Sequence, residues 1–378
     1  MRSFTVVRLW GIPIRVNLSL VVFLPVLAWL VGSGGQIALY ASVIDRFAPQ
    51  PVDVAALTVG WTPWLVGSLA ALGLFAGVTV HELGHALVAR RYGLHTESIT
   101  LWIFGGLARF DRIPREWDRE FWIALAGPAT SVLVGVACAG LVQVVPGRFP
   151  VAVFVAGWLA VVNVTLALFN LLPAFPMDGG RVLRALLARN RPYGVATRIA
   201  ASLGVTFALV FAVLGVLLFN PVLILVALFV YSAAKSEARV TVLDDLLDGL
   251  SVADVMDPVT TTLGPDDTVA TLVTTMLSRH RLSVPVVDDT GVVGVVRLED
   301  LRDLPRDAYE TTRLDDLVVA EPPVRVDAAA DAFETLVDLG QRGVDDALVE
   351  SGGEVVGTVS QGSFFAAIEI QRELRRSV

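Results

Sequence analysis

The sequence predicts a multi-pass α-helical membrane protein of about six transmembrane helices, followed by a C-terminal soluble α/β module. Three observations lead there. The 378 residues are 54% hydrophobic with a mean hydropathy of +0.67, far more apolar than an ordinary soluble domain. Six apolar stretches of spanning or near-spanning length all fall before residue 240. Charge divides at the same place: residues 1–240 carry 18 Lys and Arg against 10 Asp and Glu, and residues 241–378 carry 11 against 27. A basic, apolar front is expected to be a membrane domain over 1–240, and an acidic, polar back a soluble domain over 241–378. So acidic a module is a poor electrostatic partner for nucleic acid, which sets that class aside.

A span needs about 20 mostly apolar residues. The stretches at about 16–33, 62–88, 121–144, 150–172, 195–218 and 220–235 meet or approach that length. Phe219-Asn220-Pro221 separates the last two, and its proline supports a tight turn. Trp10, Trp61, Trp64, Trp117 and Trp122 cluster near span ends, as an interfacial belt requires. The N-terminal residues hold no short apolar core with a small-residue cleavage site, so the first run reads as a retained span.

Basic residues set the orientation. Arg2, Arg8 and Arg15, then Arg90, Arg91, Arg109, Arg112, Arg115 and Arg119, lie on one set of connections, followed by Arg181, Arg184, Arg189, Arg191, Arg198, Lys235 and Arg239. The opposite loops hold only Arg46 and Arg148. By the positive-inside rule both termini and the soluble domain are cytoplasmic, on a multi-pass protein of the cell membrane. Cys138 is the single cysteine, so neither an intrachain disulfide nor a cysteine-based zinc site is available, and it reads as a small packed residue.

His81-Glu82-Leu83-Gly84-His85 closes the second apolar run, placing two imidazoles and a carboxylate at membrane depth. Ionisable groups there cost roughly 2.5–3.5 kcal/mol each, so they are rarely present without a task. Four residues apart on a helix, His81 and His85 share a face and suit two zinc ligands. Glu82 beside them can handle the proton of a metal-bound water. A catalytic zinc needs a third protein ligand and one open position. His95 sits in a loop and reads as a solvated residue, and His280 belongs to the soluble domain.

The better candidate lies in the run from Asn170 through Pro173, Pro176 and Asp178 to Gly179-Gly180-Arg181. The prolines stop the fourth helix early, and the glycines are expected to let the backbone bend freely and aim Asp178 into the bundle. Broken helix at membrane depth is tolerated only against protein or a water cavity. The plain alternative is that Asp178 pairs with Arg181 or Arg184 at the membrane surface while Asn170 caps a helix.

The soluble domain contains an internal repeat offset by 63 residues, in which Val292-Val293-Gly294 matches Val355-Val356-Gly357 and Arg279 matches Arg342. Each copy reads as a helix, a short apolar strand, a glycine turn, a second strand and a closing helix. This pattern, with the Gly-Val-Val-Arg-Leu-Glu-Asp run at 294–300, resembles a tandem pair of cystathionine-β-synthase (CBS) modules at about 251–306 and 314–371. Such modules contact adenine nucleotides through a Gly-x-x-Ser/Thr-x-x-Asp run and often dimerise. The resemblance therefore implies a nucleotide contact by Asp300, with Arg297 standing in for the hydroxyl as a phosphate cation. In the second copy Ser360 keeps the hydroxyl and Ser363 replaces the aspartate.

The two membrane motifs, their order and the six-span frame resemble the site-2 protease family of intramembrane zinc metalloproteases, in the branch with C-terminal CBS modules. The sequence shows no extracytoplasmic PDZ insertion of the kind other branches of that family carry. The resemblance implies one Zn2+ per chain on His81, His85 and Asp178, with Glu82 as catalytic acid/base. It also implies Asn170 as the residue holding the substrate backbone or the oxyanion, transmembrane proteins as substrates, and regulation through the CBS pair.

A substrate helix hides its carbonyls and must unwind first. Residues 98–109, β-prone and containing Gly105-Gly106, are expected to form a re-entrant hairpin whose exposed edge takes the substrate as an added strand; the alternative is an interfacial loop with apolar anchors. Gly127-Pro128 in the third span reads as close helix packing rather than chemistry. Two other function classes stay open on sequence alone: a CBS-gated transporter or channel, and an inactive relative that binds clients without cutting.

Overall fold

The computed structural model describes residues 3–103, 105–110, 116–258, 262–279, 283–288, 291–302, 304–317 and 324–376. Expectations placed on Arg2, Phe104, Arg112, Arg115 and His280 lie outside the described residues. Between Arg239 and Val240 the chain divides into two compact units.

In the first unit, β1 (Ser3–Leu9) and β2 (Ile12–Asn17) form a hairpin turned at Trp10 and Gly11, both with positive φ. Asn17 ends the strand and caps the next helix, accepting the Ser19 N–H at 2.9 Å. That helix, α1 (Leu18–Gly32), fills the expected first span and then meets α2 (Gly34–Ile44), a helix beyond that span, at a 67° bend. Ser33 is extended at the break, with Gly32 and Gly34 either side, and a Cβ on Gly32 would stand 2.3 Å from the Pro63 carbonyl oxygen. The short α3 (Val54–Leu57) leads to α4 (Thr62–Arg91), whose last turn carries Arg90 and Arg91 where the helix dipole favours cations.

Next come β3 (Thr96–Trp102) and β4 (Gly105–Phe110), which complete a sheet of order β1-β2-β3-β4. β2 and β3 run parallel and the hairpin pairs antiparallel. One face, with Ile12, Ile14, Ile99 and Leu101, packs on Leu83 and Ala86 of α4. β3 is paired on both sides, so the free edge of the 98–109 segment belongs to β4 alone, and Ile103 lies in the turn.

The remaining helices are α5 (Trp117–Val144), α6 (Pro150–Asn170), α7 (Asp178–Ala188), α8 (Tyr193–Leu217) and α9 (Pro221–Leu247). Among the described residues five helices are long and apolar enough to cross a membrane, or six spans if the bent pair counts as one. The five tryptophans near span ends are all exposed. Cys138 is half-buried on α5.

The second unit holds α10 (Val252–Val255), β5 (Asp257–Pro258), α11 (Val269–Arg279), β6 (Ser283–Asp288), β7 (Gly291–Arg297), β8 (Arg325–Asp327), α12 (Ala332–Arg342), β9 (Asp346–Ser351), β10 (Glu354–Ser360) and α13 (Gln361–Arg376). A shift of 63 residues carries α11 onto α12, β6 onto β9 and β7 onto β10. The parallel bridge Leu263–Val286 likewise becomes Val326–Val349. The cores repeat as well: Met276, Val284, Val286 and Val296 in one copy answer Leu339, Ala347, Val349 and Val359 in the other. The copies differ at their ends. Only the second closes with a long helix; the first closes with a single tight turn at Leu298–Leu301. Pro305 explains this, because its ring would clash with the Leu301 carbonyl in a continued helix.

Candidate metal centre

His81 and His85 sit one turn apart on the buried side of α4, 5% and 4% exposed, with their Nε2 atoms 3.2 Å apart. Their other nitrogens are held by α5. His85 Nδ1 lies 2.7 Å from the Ile123 carbonyl oxygen, and His81 Nδ1 lies 2.9 Å from the Ser131 hydroxyl. A carbonyl can only accept, so His85 carries a proton on Nδ1, and the neutral ring then turns an Nε2 lone pair inward. Holding Nδ1 in this way fixes both the tautomer and the ring plane of a metal-binding histidine.

Asp178 opens α7 and places Oδ2 3.1 Å from His81 Nε2 and 3.3 Å from His85 Nε2. It pairs with neither arginine of its own helix among the described residues. Arg184 is bound to Glu120 and Glu237 instead, so the surface ion-pair alternative does not hold. The expected role of the two glycines needs correcting. Gly179 and Gly180 are the helical first turn, and they permit close approach rather than free bending. A Cβ on Gly179 would stand 2.3 Å from the Leu172 carbonyl oxygen, and one on Gly180 2.6 Å from the Ala174 carbonyl carbon.

These three side chains form a group that could hold one metal ion. Ligands on a tetrahedral zinc at about 2.0–2.1 Å stand about 3.3 Å from one another. The observed 3.1, 3.2 and 3.3 Å match one face of that tetrahedron. Two neutral imidazoles and a carboxylate oxygen this close need a proton or a metal cation between them, and a donor set of two nitrogens and one oxygen fits zinc.

Glu82, half-buried, lies on the neighbouring side of α4 against β4, where a Cβ on Gly106 would come within 2.4 Å of its Cγ. Gly127 of α5 does serve packing, and what it packs against is the site: its Cβ would stand 2.2 Å from His85 Nε2. Sequence reasoning passed over Ser131 and the Ile123 carbonyl, and for the latter no sequence signal exists. Asn170 is the last residue of α6, half-buried, and its amide has no hydrogen-bond partner among the described residues. His95 is exposed in the loop before β3.

In the second unit the Asp300 carboxylate accepts the Arg297 backbone N–H at 2.7 Å, and Ser363 Oγ accepts that of Ser360 at 3.2 Å, the same turn 63 residues later. The Arg297 guanidinium is committed to Asp346 of the other copy at 2.8 Å, so it is not an idle phosphate cation.

The family model described as peptidase family M50 matches residues 69–153 and 149–214, and that of the CBS domain matches residues 252–307. A zinc metalloprotease of Methanocaldococcus jannaschii is 31% identical over 381 residues, covering 99% of each chain. The Mycobacterium tuberculosis protein Rip3 is 36% identical over 338 residues, covering 83% of this chain and 85% of its own. A solved site-2 protease from M. jannaschii is 32% identical, covers 63% of this chain and 95% of its own, and superposes with a TM-score of 0.42. The chain belongs to peptidase family M50, the site-2 protease family of zinc metalloproteases, and carries a C-terminal CBS domain.

Proposed function

We propose that this protein is an intramembrane zinc endopeptidase that cuts peptide bonds within or beside the transmembrane segments of membrane-protein substrates. One observation carries the reading: His81, His85 and Asp178 converge inside a bundle of apolar helices, the histidines on a helix long enough to span a bilayer. Those three residues hold the zinc. When bound, zinc supplies a Lewis acid that lowers the pKa of a water towards roughly 7.

Glu82 accepts the proton of the attacking water and returns it to the leaving amine, acting as general base and then general acid. Asn170, with an amide that bonds nothing else described, orients the substrate backbone or the developing oxyanion. The free edge of β4 takes the unwound substrate as an added strand. Gly106 on that strand lies against Glu82, so a segment seated there runs past the acid/base. Family membership disfavours the transporter and channel readings, and the intact donor set disfavours an inactive relative.

The cation distribution supports cytoplasmic termini and a cytoplasmic CBS pair in the cell membrane, and that pair is proposed to regulate the protease, to bind an adenine nucleotide and to support a homodimer. The test compares membrane-protein fragments in cells carrying the wild type or Glu82→Gln. Substrate fragments are expected to disappear in the variant while its zinc content stays at one per chain. Continued cleavage by Glu82→Gln would remove Glu82 from the chemistry.

A further inference from the structure

Glu120 and Arg184 form a buried charged pair that the proposed chemistry does not use; they are 4% and 3% exposed. Arg184 Nε donates to Glu120 Oε1 at 2.7 Å, and its Nη1 donates to Glu237 Oε1 on α9 at 3.0 Å. The guanidinium lies over the rings of both Phe175 and Tyr193, 4.8 Å from each centroid. Glu120 Oε2 and the Tyr193 hydroxyl are buried without a hydrogen-bond partner among the described residues, so the cluster is not the most stable filling for this space. A buried ion pair is a weak route to stability, and its better use is to fix one arrangement among several.

The arrangement in question can be read from α5. Glu120, Ile123, Gly127 and Ser131 are spaced three, four and four residues apart, so they share one buried face. Ile123 and Ser131 hold the histidine Nδ1 atoms, and Gly127 leaves room at their Nε2 atoms. Glu120 grips Arg184, six residues beyond Asp178 on the 11-residue α7. One stripe of α5 therefore touches both halves of the donor set, the histidines on α4 and the helix that bears the carboxylate.

We infer that the Glu120–Arg184 ion pair is a positioning element of the metal centre, setting α7 against α5 so that Asp178 Oδ2 meets both imidazoles. This rests on the zinc reading of the site. Zinc affinity of the purified full-length protein is measured by chelator competition for wild type, Glu120→Gln and Arg184→Lys, each alone and combined with Asp178→Ala. The first substitution keeps the hydrogen-bond acceptor and removes the charge; the second keeps the charge and removes the planar fork. Either variant alone is decisive if the other does not fold.

With Asp178 present, zinc should bind roughly 10–100-fold more weakly in each variant. In the Asp178→Ala background, where the histidines alone hold the metal, the same substitutions should cost nothing further. Wild-type affinity in the variants overturns the inference. So does an equal loss with and without Asp178, which marks a general loosening of the bundle. A wild type that binds no zinc would sink the metal reading and this inference with it.

Discussion

Gly127 stands so close to His85 that a methyl group on the glycine would lie 2.2 Å from the imidazole Nε2, and 2.7 Å from that of His81. Both contacts fall on the atoms that face Asp178. Gly127→Ala therefore pushes the rings off Ile123 and Ser131 or fills the space a metal needs. Zinc stoichiometry of the purified variant is expected to fall from one per chain to near zero, with cleavage lost as well. Full zinc occupancy in Gly127→Ala would show that the histidines adjust and that the glycine is only a packing residue.

Gly106 makes the complementary prediction on the other side of α4. An alanine there would put its Cβ 2.4 Å from Glu82 Cγ and 2.7 Å from Glu82 Oε1, so the carboxylate must swing away. General acid–base catalysis contributes about 10²–10⁴-fold, and the loss in kcat for Gly106→Ala should approach that range. The metal ligands are untouched, so zinc should stay bound. A wild-type rate on a full-length membrane substrate would separate β4 from the catalytic carboxylate.

How much of this was legible in the sequence depends on whether a contact has a chemical signature along the chain. His81, Glu82, His85 and Asp178 have one, because ionisable groups in apolar runs are conspicuous and the histidine spacing fits one helix face. The repeat was legible for the same reason: a 63-residue shift is a property of the string itself. Ser131, a small residue in an apolar helix, and the Ile123 carbonyl have no such signature, and only the crossing of α4 and α5 brings them to the imidazoles. Hydropathy ends the first span near Ser33, where the helix breaks, but is blind to the bend there and to α2 beyond it. Gly179 and Gly180 illustrate a different limit. Glycine permits both a loose turn and a close approach, and only the packed neighbours decide which.

Topology gives a prediction independent of the metal. With 16 of the 18 cations of residues 1–240 on one set of connections, a reporter fused after Val378 is expected in the cytoplasm and one inserted within 36–60 outside. Digestion of the 241–378 segment by protease added outside intact cells, with the 36–60 region protected, would reverse the orientation.

The engagement of Arg297 with Asp346 makes the nucleotide proposal testable in a way that sequence alone did not. Arg297 can meet a phosphate only by leaving an ion pair of 2.8 Å that joins the two copies. Asp300 offers one carboxylate oxygen to a ribose, because the other already accepts the Arg297 N–H. Residues 241–378 also carry 11 cations against 27 acidic groups, which opposes a polyphosphate. Wild-type binding of ATP should therefore be weak and should disappear in Asp300→Ala. Asp346→Asn, by freeing the guanidinium, should tighten ATP severalfold and AMP less, since the added interaction is with phosphate charge. Calorimetry on the full-length protein decides between the two roles. Heat that follows this pattern supports a sensor. No heat with either nucleotide, in the wild type or in Asp346→Asn, leaves the Arg297–Asp346 pair as a structural lock between the copies.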